Sequence, residues 1–345
     1  MTRGLAQAYV TGGALLVGTL LITALGHPVG AQTGPARLEE HEGFEDLGDL
    51  GEMPAAECGR CHEADLAEHL TSAHTRAFDD PLFQREWRQN PEPYCIPCHS
   101  PRTASPLAHP VLASAGVDCV TCHVRDGAVL AATVSGEAPH PSRVDPTLAG
   151  VEACARCHQV DVRHRPGTPL QNTVAEWEAA GEPGTCQSCH MPSRAGRHRH
   201  DTPGGYSREL LSRALTVRAR AVHDGWDTRV DLELEADDVG HAVPTGDVFR
   251  RLVIHAWDAS RPGEGRTVEL GRAVGRVDGR GAYDDRMPPP GSGPRHVTIR
   301  LPGRVTEVGW SIELWSLPRD QATRAGLATA PLRRVMDEGR VRPGR

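Results

Sequence analysis

Downstream of residue 206 the chain alternates apolar and polar side chains with a period of two. Leu215, Val217, Ala219 and Ala221 share one phase, as do Val230, Leu232 and Leu234, then Val297, Ile299 and Leu301, and finally Val308, Trp310, Ile312 and Leu314. Successive side chains of a strand point to opposite faces. Such runs, separated by Gly- and Pro-rich turns, predict half-buried antiparallel strands and a β-sandwich-like domain over residues 207–345. Residues 53–206 carry every cysteine instead. At the N-terminus an apolar run from Ala14 to Leu25 follows Arg3 and precedes Val29-Gly30-Ala31, a small-residue cleavage site. Residues 1–31 are therefore expected to be a secretory signal peptide and the protein to be exported, to a periplasm in a bacterium. A retained anchor is the competing reading, but the run is shorter than the ~20 residues a spanning helix needs. Residues 32–52, with LEEHEGFEDLGDLGE, are acidic and poor in aromatics and read as a flexible linker. No later segment is apolar enough to span a membrane.

Composition sharpens this outline. Only 38% of the 345 residues are hydrophobic and 4% aromatic, so a core built from side chains alone is thin. The formal charge of -7 becomes -8 when Arg3 leaves with the signal peptide, which provides no electrostatic footprint for nucleic acid. All 38 basic residues are arginine, so no lysine is present to form a Schiff base or ligate a metal.

The ten cysteines fall as Cys58-Gly-Arg-Cys61-His62, Cys95-Ile-Pro-Cys98-His99, Cys119-Val-Thr-Cys122-His123, Cys154-Ala-Arg-Cys157-His158 and Cys186-Gln-Ser-Cys189-His190. Ten cysteines in an exported chain first suggest disulfides, but a histidine follows every pair, and a disulfide has no use for it. C-x-x-C-H is the attachment signature of c-type haem. On one helical turn, positions i, i+3 and i+4 share a face, so two thiols bond the porphyrin edge while the imidazole reaches the iron. Zinc also takes Cys and His, but five recurrences of one pentapeptide with no cysteine left over do not suit it. Five covalent haems c are expected, with His62, His99, His123, His158 and His190 as proximal iron ligands. Porphyrin faces then supply much of the missing core. The fold class is accordingly mixed: a multihaem cytochrome c domain of short helices and loops at 53–206, then the β-sandwich-like domain.

Sixth ligands must come from elsewhere. Met1 leaves with the signal peptide and Met191 adjoins His190, so histidine is the expected donor, giving low-potential bis-histidine irons. His74 lies twelve residues after His62, ~18 Å along a continuous helix. That is too far to close the same iron, so in an unbroken helix it binds a neighbour's. His140 sits in a proline-flanked loop, either His198 or His200 follows the fifth motif, and His109 lies between the second and third. His69, His164, His223, His255 and His296 are assigned surface or supporting roles.

The elements CGRCH with SAHTRAF, GVDCVTCHVRDG, the APH loop, CARCHQ with TVAEW, CQSCHMP with HRHDTPGG, and GHAVPTGD with the following RR occur in this order over residues 55–251. As a set they resemble periplasmic multihaem c-type cytochromes of the kind that accept electrons from hydroxylamine oxidation. The resemblance implies His74, His140, His200 and His241 as distal ligands, the last delivered by a loop of the second domain. In that loop Gly240 and Gly246 permit turns and Pro244 stiffens the chain. His69 departs from the family, which often has an aromatic residue there. Arg250 and Arg251, just after the loop, are candidates to pair with haem propionates, an exposed strand face being the alternative.

The expected function is electron transfer between redox protein partners that dock through charge, with no catalytic residue in the sandwich. The alternative is a multihaem oxidoreductase acting on a small nitrogen or sulfur oxyanion. It requires a five-coordinate iron, and the haem on His99 is the candidate, since the resembled family has members with such a haem.

Overall fold

The computed structural model describes residues 49–344 except 134–137, 164 and 276–281. The expected signal peptide, most of the expected linker, and His164 lie outside the described residues.

Short helices carry the five pentapeptides. Cys119–His123, Glu152–His158 and Cys186–His190 each end on their histidine, as does Ile96–His99. The first differs: its helix, Ala55–Gly59, stops early, and His62 begins the next helix, Glu63–His69. Local chemistry sets these starts. Asp118 accepts from the Thr121 backbone N–H in a capping box, and Thr185 accepts from Ser188, each satisfying an otherwise orphaned donor.

Small sheets stitch the helices together, where only helices and loops were expected. β1 (Val124–Arg125) pairs with β2 (Ala128–Ala131), which runs parallel to β3 (Ser142–Val144). β4 (Gln159–Val162) pairs with β5 (Arg165–Asn172), and β6 (Ser193–Arg194) with β7 (Arg197–His198). Most of these strands are too short for periodicity to reveal them, and the eight-residue β5 is masked by Pro166, Gly167 and Pro169.

Downstream, two antiparallel sheets face each other. One contains β8 (Leu215–Asp224), β9 (Asp227–Ala236) and β13 (Arg295–Leu301), in the order β13-β9-β8. The other contains β10 (Arg251–Asp258), β11 (Gly265–Ala273), β12 (Tyr283–Asp284), β14 (Val308–Trp315) and β15 (Arg333–Val341), in the order β12-β11-β10-β14-β15. Val230, Leu232 and Leu234 meet Leu252, Ile254 and Ile312 between them. Each such side chain contributes about 1.5–3 kcal/mol on burial.

β14 departs from the half-buried expectation: all eight of its residues are buried. Glu313 is tolerated there because it accepts from Trp315 Nε1 at 2.8 Å and Ser311 Oγ at 3.1 Å and pairs with Arg333 at 2.9 Å. Gly309 leaves room for the Trp257 indole, since a Cβ would fall 2.5 Å from it.

The N-terminal half has a far smaller apolar cluster: Phe78, Ile96 and Ala113, flanked by Phe83 and Trp87. Ordering a backbone costs about 1–2 kcal/mol per residue, and this cluster is too small to offset that. The two halves nonetheless belong to one compact unit, Leu38–Arg345. Within the expected linker, Asp49–Glu52 form a 3-10 turn, and the Gly51 carbonyl accepts from the buried Arg102.

Candidate functional site

Three imidazole pairs bring distant parts of the chain together. His74 faces His158 with ring centroids 6.3 Å apart, His200 faces His123 at 6.2 Å, and His241 faces His190 at 6.4 Å. These separations are too long for stacking. Two metal–imidazole bonds of ~2.0–2.1 Å, plus the distance from each nitrogen to its ring centre, add to ~6.3 Å. One ion fits between each pair.

Second nitrogens hold the rings. His123 Nδ1 donates to the Leu130 carbonyl at 2.8 Å, His190 Nδ1 to Pro203 at 2.5 Å and His241 Nδ1 to Ala242 at 2.9 Å. A carbonyl only accepts, so these protons sit on Nδ1 and the Nε2 lone pair is left for a metal. Burial disfavours the imidazolium, lowering His74 and His123 below the usual range and His158 and His241 to about 4. The neutral, ligating form therefore prevails at neutral pH.

His74 reaches His158 by a different route from the one expected. The helix after the first motif ends at His69, and His74 opens a separate 3-10 turn, His74–Arg76. Of His198 and His200, it is His200 whose ring faces a motif histidine. His198 is exposed on β7 and donates Nδ1 to the Met191 carbonyl at 2.7 Å.

The other candidates are not brought together. His62 has a 61% exposed side chain with Nδ1 3.7 Å from Asp65, and His140 has Nδ1 3.1 Å from Ser142 Oγ; among the described residues no imidazole pairing joins them. His109 does not meet His99. Its extended backbone (φ -128°) precedes the helix Pro110–Ser114 and leaves it exposed, while Ala113 takes the inward position against Ile96 and Phe78. His99 instead has Phe83 stacked on its ring, 3.8 Å away and 7° from parallel, and donates Nδ1 to Ala77 at 2.6 Å. Phe83 was not singled out from the sequence; the only hint is its place two residues into a helix capped by Asp80.

His69, expected in a surface or supporting role, is buried, and among the described residues its Nε2 has no hydrogen-bond partner. His223, His255 and His296 lie on strands of the two large sheets, away from the cysteines.

All ten cysteines are free. Sulfurs of different motifs meet: Cys58 with Cys119, Cys98 with Cys157, and Cys154 with Cys186 share hydrogen bonds. The shared proton lowers Cys58 and Cys186 to about 7, while burial raises Cys95 and Cys122 to about 11. Free thiols at i and i+3, a following imidazole, and a second imidazole one ion's span away fit c-type haem chemically. At Cys154–His158, Cys186–His190 and Cys119–His123 that donor set is complete.

The loop carrying His241 is clamped from two sides. Val243 exchanges two backbone hydrogen bonds of 2.9 Å with Met287, and the Val243–Pro244 peptide is cis. Thr245 Oγ1 donates to Glu176 Oε2 at 2.6 Å, and Arg286 reaches Glu176 Oε1 at 2.7 Å and the Pro244 carbonyl at 3.1 Å. Arg272 adds bonds to the Leu170 and Gly246 carbonyls at 2.8 and 3.2 Å. Gly246 has φ +83°, a conformation glycine adopts without strain. Glu176 stands inside the TVAEW segment; Arg286 carried no sequence signal. Of the arginines expected near propionates, Arg251 is buried and bonds the Val248 and Arg250 carbonyls, which leaves Arg250.

Among solved structures, the chain is similar to a penta-heme cytochrome c552 from Thermochromatium tepidum, with a TM-score of 0.70 and 21% identity, over 85% of this chain and 99% of that one. The overall fold is therefore that of a multihaem cytochrome. A Northeast Structural Genomics Consortium target, at 10% identity over 38% of this chain and 87% of its own, has a TM-score of 0.20, too low to bear on the fold. No family model and no curated protein matches the chain. Among the described residues no helix is long and apolar enough to cross a membrane.

Proposed function

We propose that this chain is an exported, periplasmic electron-transfer protein that carries five covalent haems c, most of them closed by two histidines. The observation that carries this reading is the trio of imidazole pairs at 6.2–6.4 Å, each joining a C-x-x-C-H histidine to one from elsewhere in the chain. A haem held in this way supplies one-electron chemistry with no position for a substrate. The protein's part is to keep the centres close. Sulfur contacts join the first and third motifs, the second and fourth, and the fourth and fifth. The resemblance to cytochromes that accept electrons from hydroxylamine oxidation, and the penta-heme title of the similar structure, point the same way. A formal net charge of -8 once the signal peptide is removed favours a redox partner with a basic docking patch. Mass spectrometry of the exported protein tests the reading: five added tetrapyrroles and a low-spin EPR spectrum are expected, and a chain without that mass refutes it.

A second reading, a multihaem oxidoreductase of a small nitrogen or sulfur oxyanion, has one observation in its favour. Among the described residues no imidazole faces His99, and Phe83 lies against its ring. Cyanide or nitric oxide binding to a high-spin centre at that motif supports the oxidoreductase; a wholly low-spin, inert protein supports the carrier.

A further inference from the structure

Two arginines converge on one ring, and a third bears on them by charge, beside the His74–His158 and His190–His241 pairs. Arg334 Cζ lies 4.1 Å and Arg76 Cζ 5.5 Å from the centre of the Tyr206 ring. The charges of Arg250 and Arg76 bear on Arg334, which is half-buried and pushed below its ordinary value first by that burial. Arg250 also bears on His158 and His241. Its guanidinium lies 3.0 Å from where a Gly246 Cβ would stand and 3.8 Å from that of Gly205, so two glycines keep space beside it. Arg76 shares a 3-10 turn with His74.

Among the described residues none of the three forms an ion pair with a carboxylate. Arg76 donates to the Ser72 carbonyl at 3.4 Å and Arg250 to the Thr245 carbonyl at 3.2 Å. The carboxylate that bears on Arg334, Asp80, is already engaged with the Leu82 and Phe83 backbone amides. A single aromatic face attracts cations only weakly. Like charges gathered at a half-buried site call for an anion, and a planar guanidinium matches a carboxylate in two-pronged fashion.

We propose that Arg76, Arg250 and Arg334, around Tyr206, form a cradle for the carboxylates of the haem on Cys154, Cys157 and His158. This rests on the haem reading above and deepens it by naming the residues that set that centre's potential. Positive charge beside an iron favours its reduced state, so removing it lowers the midpoint.

The test is an EPR-monitored redox titration of the holoprotein with Arg334→Gln and, separately, Arg250→Gln, each checked for haem number by mass. The cradle predicts full haem content and one midpoint shifted downward. The reduction equilibrium should change about tenfold, ~59 mV for a one-electron couple, with Arg334→Lys restoring most of the shift. Full haem content with every midpoint unmoved in the Gln variants overturns the cradle and leaves the haem reading standing. Absence of tetrapyrrole mass in the unaltered protein overturns both. Inorganic phosphate separates the two sources of anion. A wild-type midpoint that moves with phosphate, and stops doing so in Arg334→Gln, assigns the cradle to a free anion and refutes the proposal; indifference to phosphate supports it. Should Arg250→Gln fail to fold, Arg334→Gln, on β15 and outside every ligand-bearing element, decides alone.

Discussion

His241 lies 6.4 Å from His190, ring centre to ring centre, with the two planes within 11° of parallel. One ring closes the last cysteine motif; the other is delivered by a loop that a buried ion pair holds in place. The separation matches a shared ion, and both second nitrogens are occupied by carbonyls.

Replacing His241 by alanine is expected to leave haem number unchanged and to convert one centre to high spin. Absorption and EPR spectra of the purified variant decide it, and an undiminished low-spin population contradicts the pairing.

Glu176 and Arg286 are both about 5% exposed and 2.7 Å apart. Arg286 also pairs with Asp284 at 2.7 Å, whereas among the described residues Glu176 forms an ion pair with Arg286 alone. Removing Arg286 strands the buried carboxylate, so Arg286→Ala is expected to destabilise the fold by about 3–5 kcal/mol. The double change Glu176→Met with Arg286→Met should cost much less. Denaturant midpoints of the two variants measure the difference, and equal losses would count against the ion pair as the clamp.

His109 is exposed and among the described residues faces no ring, so His109→Ala should leave the spin state and cyanide response as they are. A new high-spin signal in that variant would restore it as a ligand. Phe83→Ala, by contrast, should perturb the centre at His99, because it removes the ring stacked 3.8 Å away.

Without an ion between the rings, His158 and His241 are depressed to about 4 by burial, against an ordinary value of 6.5. An iron bound at Nε2 would exclude the proton from the folded form in the same direction. Both are neutral above about 6.5 in folded and unfolded chains alike. Between about 4 and 6.5 the unfolded chain takes up protons that the folded one does not. Stability should therefore fall as pH drops through that window. Urea midpoints at pH 7 and pH 5 test the sign: a higher midpoint at pH 5 would contradict it. The low-spin spectrum itself should persist at pH 5.

The pentapeptides were readable from the sequence because their chemistry is local. Two thiols and an imidazole within five residues share one helical turn whatever the rest of the chain does. The alternation in β9 and β13 was equally readable, since each has one face on the core and one in water. The fate of β14 was not: burial of Ser311 and Glu313 depends on what covers the second face, which no period of two encodes. Nor did spacing decide which of His198 and His200 turns inward, or that His109 turns away, because each outcome depends on packing against elements far along the chain. The meeting of His74 with His158, and of Arg76 and Arg334 on Tyr206, belongs to tertiary structure for the same reason. Ligand identity is a property of residue type, but ligand pairing is a distance between remote segments, set only when the chain closes on itself.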